Sequence, residues 1–455
     1  MMKIILGKHG VCGCVALLLA FLLSSCNNSD YVKNIPSGCS ALLAVDSKNV
    51  EGANGNAMLK ALLPIDDIQS TGIDFGSKIY FFETADGNLG IAAKIKSEDD
   101  FSASIAGLAA KGKSTKVKER GDLSFALVNG SWLVAFSGNA MMALGPITAA
   151  SRPEVERTMM GYFSQDEEQS IVKTKIYEHI DSMASPISLV AQAQALPEKF
   201  VAPFTIGAPK EADASQVMIA ARLSVEGKSL VIDGTTYSDN NSVDKALREA
   251  NAVFRPITPK LVSSYNSRNI LGLFMNVDGK AFLPLLQQNK GIQALMVGLN
   301  TAIDMDNILR SVDGDLVIAV PSYSGDGNMA LSLTAKLGNK AWLNDVDYWK
   351  QSCPKGTTIA NAGVDTFCYS DGKMKFFFGV SPDLFFFSGN DKDAATATFQ
   401  TPRSPLTKSV LSELVGKRMA MVLNLRAVAE SAGGAAESFI NSFAGNVENV
   451  VYVRK

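Results

Sequence analysis

The sequence predicts an α+β fold of two tandem related domains. Each is built from βαββαβ units of the ferredoxin-like, split βαβ kind, with mostly antiparallel sheets and helices on one face. Three observations lead there. Short apolar runs are joined by tight-turn pairs such as Asp86-Gly87 and Asn129-Gly130. The order strand, helix, strand, strand, helix, strand occurs more than once. Finally, short segments repeat in order: Asp86-Gly87-Asn88 and Ala93-Lys94-Ile95 return as Asp326-Gly327-Asn328 and Ala335-Lys336-Leu337, and Phe136-Ser137-Gly138-Asn139 returns as Phe387-Ser388-Gly389-Asn390, at offsets of 240 to 251 residues.

The chain opens on a leader. Lys3 and Lys8 precede an apolar run at 11–23 that is 13 residues long. A helix that crosses a bilayer needs roughly 20, so this run reads as a removed signal. It ends in Leu23-Ser24-Ser25-Cys26, the layout of a bacterial lipoprotein signal, in which cleavage falls before the cysteine and lipid is attached to it. Residues 1–25 are thus the expected signal peptide, Cys26 the expected lipidation site, and 26–40 the tether. Asn27, rather than Asp, follows the cysteine, and Asp30 is the one acid nearby; this favours the outer membrane and its periplasmic face.

The first domain is expected over 41–255. Strands at 41–46, 78–83 and 89–95 are interrupted by a helix at 57–63. Ser97 with Asp100 marks a helix N-terminus that runs to about residue 110. Strands follow at 124–128 and 132–137. Ser164 with Glu167 reads as a capping box opening a helix over 165–183, with Val172, Ile176, Ile180 and Met183 as its buried stripe. A shorter unit then comprises strands at 187–192, 216–224 and 229–237 with helices at 197–201 and 242–252. Arg255-Pro256-Ile257-Thr258-Pro259 is the expected boundary.

The second domain is expected over 265–455. It carries strands at 270–277, 316–320 and 329–337, with a helix between the first two burying Ile292, Leu295, Met296, Leu299 and Ile303. A helix at 340–350 precedes strands at 366–369, 375–380 and 384–388. The end brings a strand at 419–425, a helix burying Val428, Ala432, Phe439 and Phe443, and a strand at 447–453. The short unit begins 146 residues after the long one in the first half and about 150 in the second. The same pattern also permits one continuous sheet through both halves.

Composition narrows the function. Lys+Arg total 43 against 45 Asp+Glu, and losing Lys3 and Lys8 takes the net charge from −2 to −4. With no basic block, nucleic acid is not an expected partner. Cys12 and Cys14 leave with the leader. Cys353 and Cys368 close a short loop, and a disulfide between them suits an oxidising compartment; Cys39 is then a small buried residue.

Signals of catalysis are few. His179, the histidine outside the leader, sits on a charged helix without a partner for acid–base work. Ser170-Ile171-Val172-Lys173 matches S-x-x-K but lacks its companion motifs. Asp304-Met305-Asp306, Asp345-Val346-Asp347 and Asp391-Lys392-Asp393 lack the ligand spacing of a calcium loop and read as caps and turns. Phe376-Phe377-Phe378 and Phe385-Phe386-Phe387 suit strands covered on both faces. Trp132, Trp342 and Trp349 read as core, or else as a stacking surface for sugars. Neither a cofactor nor a metal is expected.

Tyr31-Val32-Lys33-Asn34-Ile35-Pro36 stands between the lipobox and an apolar strand. It resembles the start of a family of Bacteroidota lipoproteins that carry a lipobox, a short polar tether and a Tyr-Val-x-x-Ile-Pro signature. That family has no established activity, so the resemblance implies no catalytic residues. The expectation is a lipoprotein held to the membrane through its N-terminal lipid, non-enzymatic, with an envelope protein or glycan as partner. The alternatives are a carboxylate-based glycan hydrolase and a sugar-binding lipoprotein.

Overall fold

The computed structural model describes residues 30–46, 71–195, 204–209, 212–288, 303–322, 330–372, 375–390, 392–396, 401–432 and 447–454. The leader with Cys26, the helices expected at 57–63 and 197–201, the turn at 326–328, Asp391, and the stripe positions Ile292, Leu295, Met296, Leu299, Phe439 and Phe443 lie outside these residues.

The first half contributes strands β1 (Ala41–Val45), β2 (Ile79–Glu83), β3 (Leu89–Lys94), β4 (Lys118–Arg120), β5 (Leu123–Val128), β6 (Trp132–Ser137), β7 (Ala140–Gly145), β8 (Ile187–Gln192), β9 (Met218–Glu226) and β10 (Ser229–Tyr237). The second contributes β11 (Phe254–Arg255), β12 (Leu271–Asp278), β13 (Val312–Val320), β14 (Ser332–Leu337), β15 (Thr358–Gly363), β16 (Thr366–Ser370), β17 (Lys375–Val380), β18 (Phe385–Gly389), β19 (Met419–Asn424) and β20 (Asn449–Arg454). The helices used below are α1 (Glu98–Ala110), α2 (Arg152–Ser164), α3 (Lys175–Ser182), α4 (Asn241–Asn251), α5 (Pro259–Ser263), α6 (Gly279–Gln288), α7 (Met305–Arg310), α8 (Val346–Ser352), α9 (Lys392–Thr396) and α10 (Lys408–Leu414).

Pairing joins the strands into one sheet. From one edge to the middle the order is β4-β5-β6-β7-β3-β2-β1-β8-β9-β10. From the middle to the other edge it is β20-β19-β12-β13-β14-β18-β17-β16-β15, with β11 extending the β19 side of β12. The two stretches meet where β10 runs parallel to β20; the other pairings are antiparallel. Of the two arrangements open from the sequence, the continuous sheet is the one found. Reading outward from β8 and from β19, the strand order is the same: 1-2-3-7-6-5-4 on one side and 12-13-14-18-17-16-15 on the other.

That order corrects one of the repeats. Ala93-Lys94 does correspond in place to Ala335-Lys336, since β3 and β14 hold matching positions. Phe136-Ser137-Gly138-Asn139 closes β6 and turns into β7, whereas Phe387-Ser388-Gly389-Asn390 ends β18, whose counterpart by position is β7. The four-residue match joins strands that do not correspond.

Helices cover both faces, not one. Successive residues of a strand point to opposite sides. On one side Leu42, Tyr80, Phe82, Leu133 and Met142 pack under the N-terminal segment, α2 and α3. On the other Ile79, Ile91, Val134 and Met141 pack under Phe101 and Ile105 of α1. The second half repeats this, with α6, α7 and α8 over Met275, Leu316 and Phe386, and α5 and α10 over Phe274, Ala420 and Phe385. A sheet sandwiched in this way reads as continuous apolar runs, which is why Phe385, Phe386 and Phe387 are all buried.

Other expectations shift for local reasons. Ser97 does cap α1, accepting from the Asp100 N–H at 3.2 Å. The helix expected over 165–183 does not form as one piece. Ser164 instead closes α2, donating to the carbonyl of Met160 at 3.0 Å. Ser170 and Thr174 then break the chain into two short 3₁₀ turns and α3, because their hydroxyls accept from the N–H of Val172 and Tyr177.

The expected bridge between Cys353 and Cys368 is not formed; both are free thiols. Cys353 follows α8 and packs with Phe367 and Tyr369 on one side of the sheet. Cys368 lies between those two residues on β16, so its side chain points to the other side. Cys39 is buried, and burial pushes its thiol pKa up to about 12.

Candidate functional site

The N-terminal segment is built into the body. Asp30–Asn34 forms a 3₁₀ turn, and Tyr31, Val32 and Ile35 are buried at 3 %, 0 % and 0 % exposure. The Tyr31 hydroxyl donates to the Lys78 carbonyl at 2.6 Å. Gln165 Nε2 donates to the carbonyls of Lys33 and Ile35 at 2.5 and 3.1 Å. The Ile171 N–H donates to the Ile35 carbonyl at 2.8 Å, and the Ser37 N–H to the Gln169 carbonyl at 2.8 Å. Pro36 bridges to Ser170, which is itself fully buried. The S-x-x-K match is therefore part of this clasp: Ser170 underlies it, and Lys173 pairs with Glu167 at 3.3 Å. Glu167 also pairs with Lys33 at 3.4 Å, and the hydrogen bonds from Lys173 and Lys33 hold its carboxyl below the usual range.

The clasp leads to a cleft. The Ile171 carbonyl accepts from Thr174 Oγ1 at 2.6 Å, and Thr174 stands on the rim of an open depression of about 530 Å³. Ile176 and Met218 form its apolar floor. Gln192, Ser215, Gln216, Ser238 and Asn240 supply amides and hydroxyls. Lys175 and Asp239 make an ion pair of 3.1 Å, and Asp239 is the sole carboxylate among the described residues of the lining. The walls are held by their own hydrogen bonds: Ser238 Oγ donates to the Gln216 carbonyl at 2.5 Å, and Asn240 Oδ1 caps α4 by accepting from the Ser242 N–H at 3.0 Å. Neutral donors and acceptors over an apolar floor suit an uncharged polar ligand. They supply no nucleophile with an adjacent base.

The residues weighed for chemistry are engaged elsewhere. His179 is half-buried with its ring 4.5 Å from that of Tyr237, so it is less solvated than a charged helix suggests. Asp304 caps α7, Asp345 accepts from Asn307 Nδ2 at 2.6 Å, and Asp347 pairs with Lys350 at 2.8 Å. Trp342 and Trp349 stack in the core 6.0 Å apart, at 0 % and 5 % exposure, so neither offers a platform for a sugar. Among the described residues, no three His, Cys, Asp or Glu side chains gather as a metal site, and no helix is long and apolar enough to cross a membrane.

Comparison with known proteins adds a family and little more. The family model described as a domain of unknown function, DUF4836, matches residues 48–404. No curated protein matches. Two solved structures are similar in part: crystal form IV of TP0453, at 8 % identity and a TM-score of 0.31 over 45 % of this chain and 79 % of that one, and crystal form III, at 7 % identity and 0.28 over 46 % and 80 %.

Proposed function

We propose that this chain, which belongs to the DUF4836 family, is a lipid-tethered, non-catalytic binding protein of the cell envelope. The observation that carries the reading is the clasp. Asp30 begins a turn whose next two residues are buried, and it lies four residues beyond Cys26. With lipid on Cys26, four extended residues reach no more than about 14 Å. The body then rests against the bilayer, on the periplasmic face of the outer membrane, and does not swing on a long tether. The two halves are copies of one unit, and the sheet they share is the scaffold. The cleft beside Thr174 takes the partner, an uncharged polar group of an envelope glycan or protein.

The test has two arms. Labelled palmitate should enter the wild-type chain and not Cys26→Ser. A photo-crosslinker at Ser215, on the cleft, should capture an envelope component in cells, and one at the exposed Tyr348, which is not part of the cleft lining, should not. Lipid on the Cys26→Ser chain, or equal capture from both positions, would refute the proposal.

A further inference from the structure

We propose that Arg454 is an oxyanion-binding residue, its Nε–Nη2 edge receiving the carboxylate or phosphate of a small ligand where the two halves of the sheet meet. Arg454 ends β20, the strand that runs parallel to β10 at the centre, and is 3 % exposed. Its Nε and Nη2 are buried without a hydrogen-bond partner. These two nitrogens share one edge of the guanidinium, the edge that grips an oxyanion with two parallel hydrogen bonds. The flat face is occupied by the Phe254 ring, 4.6 Å away, and the unpartnered edge is enclosed by the protein around it.

The surroundings are built to the same end. Tyr452, two residues earlier and on the same side of the strand, also has a buried hydroxyl without a partner, a third donor. Gly234 lies opposite Arg454, and a Cβ there would come within 2.6 Å of Tyr452 Cε2, so the glycine makes room for the phenol. Arg418 adds a second positive charge: its Nη1 donates to the Phe254 carbonyl, and its main-chain N–H donates to the Arg454 carbonyl at 2.9 Å. Burial, and secondarily Arg418, lower the pKa of Arg454. A buried cation with an unpaired edge is costly, and a bound anion removes that cost.

The test is titration of the full chain with sodium acetate and, separately, with inorganic phosphate. Both are run at constant ionic strength with chloride as filler, by calorimetry and thermal melting. Wild type should show saturable binding and a rise in Tm with at least one of the two. Arg454→Lys keeps a charge but loses the fork, and should bind at least tenfold more weakly. Tyr452→Phe leaves the guanidinium untouched and should bind several-fold more weakly. Tighter acetate assigns a carboxylate ligand, tighter phosphate a phosphorylated one. Melting that is the same in acetate, phosphate and chloride would overturn the proposal, as would equal binding by wild type and Tyr452→Phe.

Discussion

Replacing Tyr31 should destabilise the whole body, although the residue stands at the N-terminal end of the described structure. Its ring is 3 % exposed and packs 6.1 Å from that of Tyr80. Its hydroxyl serves the Lys78 carbonyl at 2.6 Å. Tyr31→Phe removes that bond alone and should cost about 1–2 kcal/mol, the net bond plus part of the penalty for an orphaned carbonyl. Tyr31→Ala also opens a cavity of aromatic size and should cost about 3–5 kcal/mol. A residue on a loosely attached tether would change stability by no more than about 0.5 kcal/mol. The assay is urea denaturation of the three chains, read at the midpoint with the slope unchanged. Hydrogen exchange at the amides of Ser37 and Ile171, which close the clasp, should show protection lost first in Tyr31→Ala. A Tyr31→Ala midpoint equal to wild type would refute the reasoning.

Four further outcomes follow. In native protein at pH 8 Cys39 should resist alkylation while Cys353 reacts, and an oxidant should not join Cys353 to Cys368; mass mapping checks both. Because the folded Cys39 thiol ionises only near pH 12 and the unfolded one near 9, its contribution to stability is full below pH 9 and is lost as pH rises above it, a loss that Cys39→Ala should abolish. Glu167 has its pKa lowered in the folded state, so its pairing stabilises the clasp above the ordinary carboxylate pKa and is lost as pH falls through the folded one; Glu167→Gln should flatten that part of the acid denaturation curve. Gly90 lies under the Phe82 ring, where a Cβ would come within 2.1 Å of Cζ, so Gly90→Val should cost about 1–3 kcal/mol in thermal or urea unfolding.

The hairpins were the most legible part of this fold, for a local reason. Asn129 and Gly130 take φ of +49° and +72°, a conformation those residues adopt readily, and the flanking strands follow. β7 left no comparable mark. Ala-Met-Met-Ala-Leu-Gly is buried throughout, so it lacks the alternation that reveals a strand with one wet face. The misread helix over 165–183 was decided by Ser170 and Thr174, whose hydroxyls compete for backbone N–H groups, and a hydrophobic stripe does not register that competition. Helices on both faces follow from crossovers whose side the sequence does not state. The cleft was hidden because its lining comes from segments near 174, 192, 216 and 238, each unremarkable alone. The clasp was half visible: Tyr31, Val32, Ile35 and Pro36 stood out as a signature, but their partners Gln165, Gln169 and Ile171 lie more than a hundred residues away.

The most direct measurement is the distance between the body and the bilayer. Neutron reflectometry of the lipidated chain on a supported membrane reads it as the thickness of the water layer under the protein. A body clasped from Asp30 onward leaves a gap of at most about 14 Å, and a twenty-residue Gly-Ser insertion after Ser29 should widen it. A gap of several tens of ångströms in the native chain, unchanged by the insertion, would contradict the account.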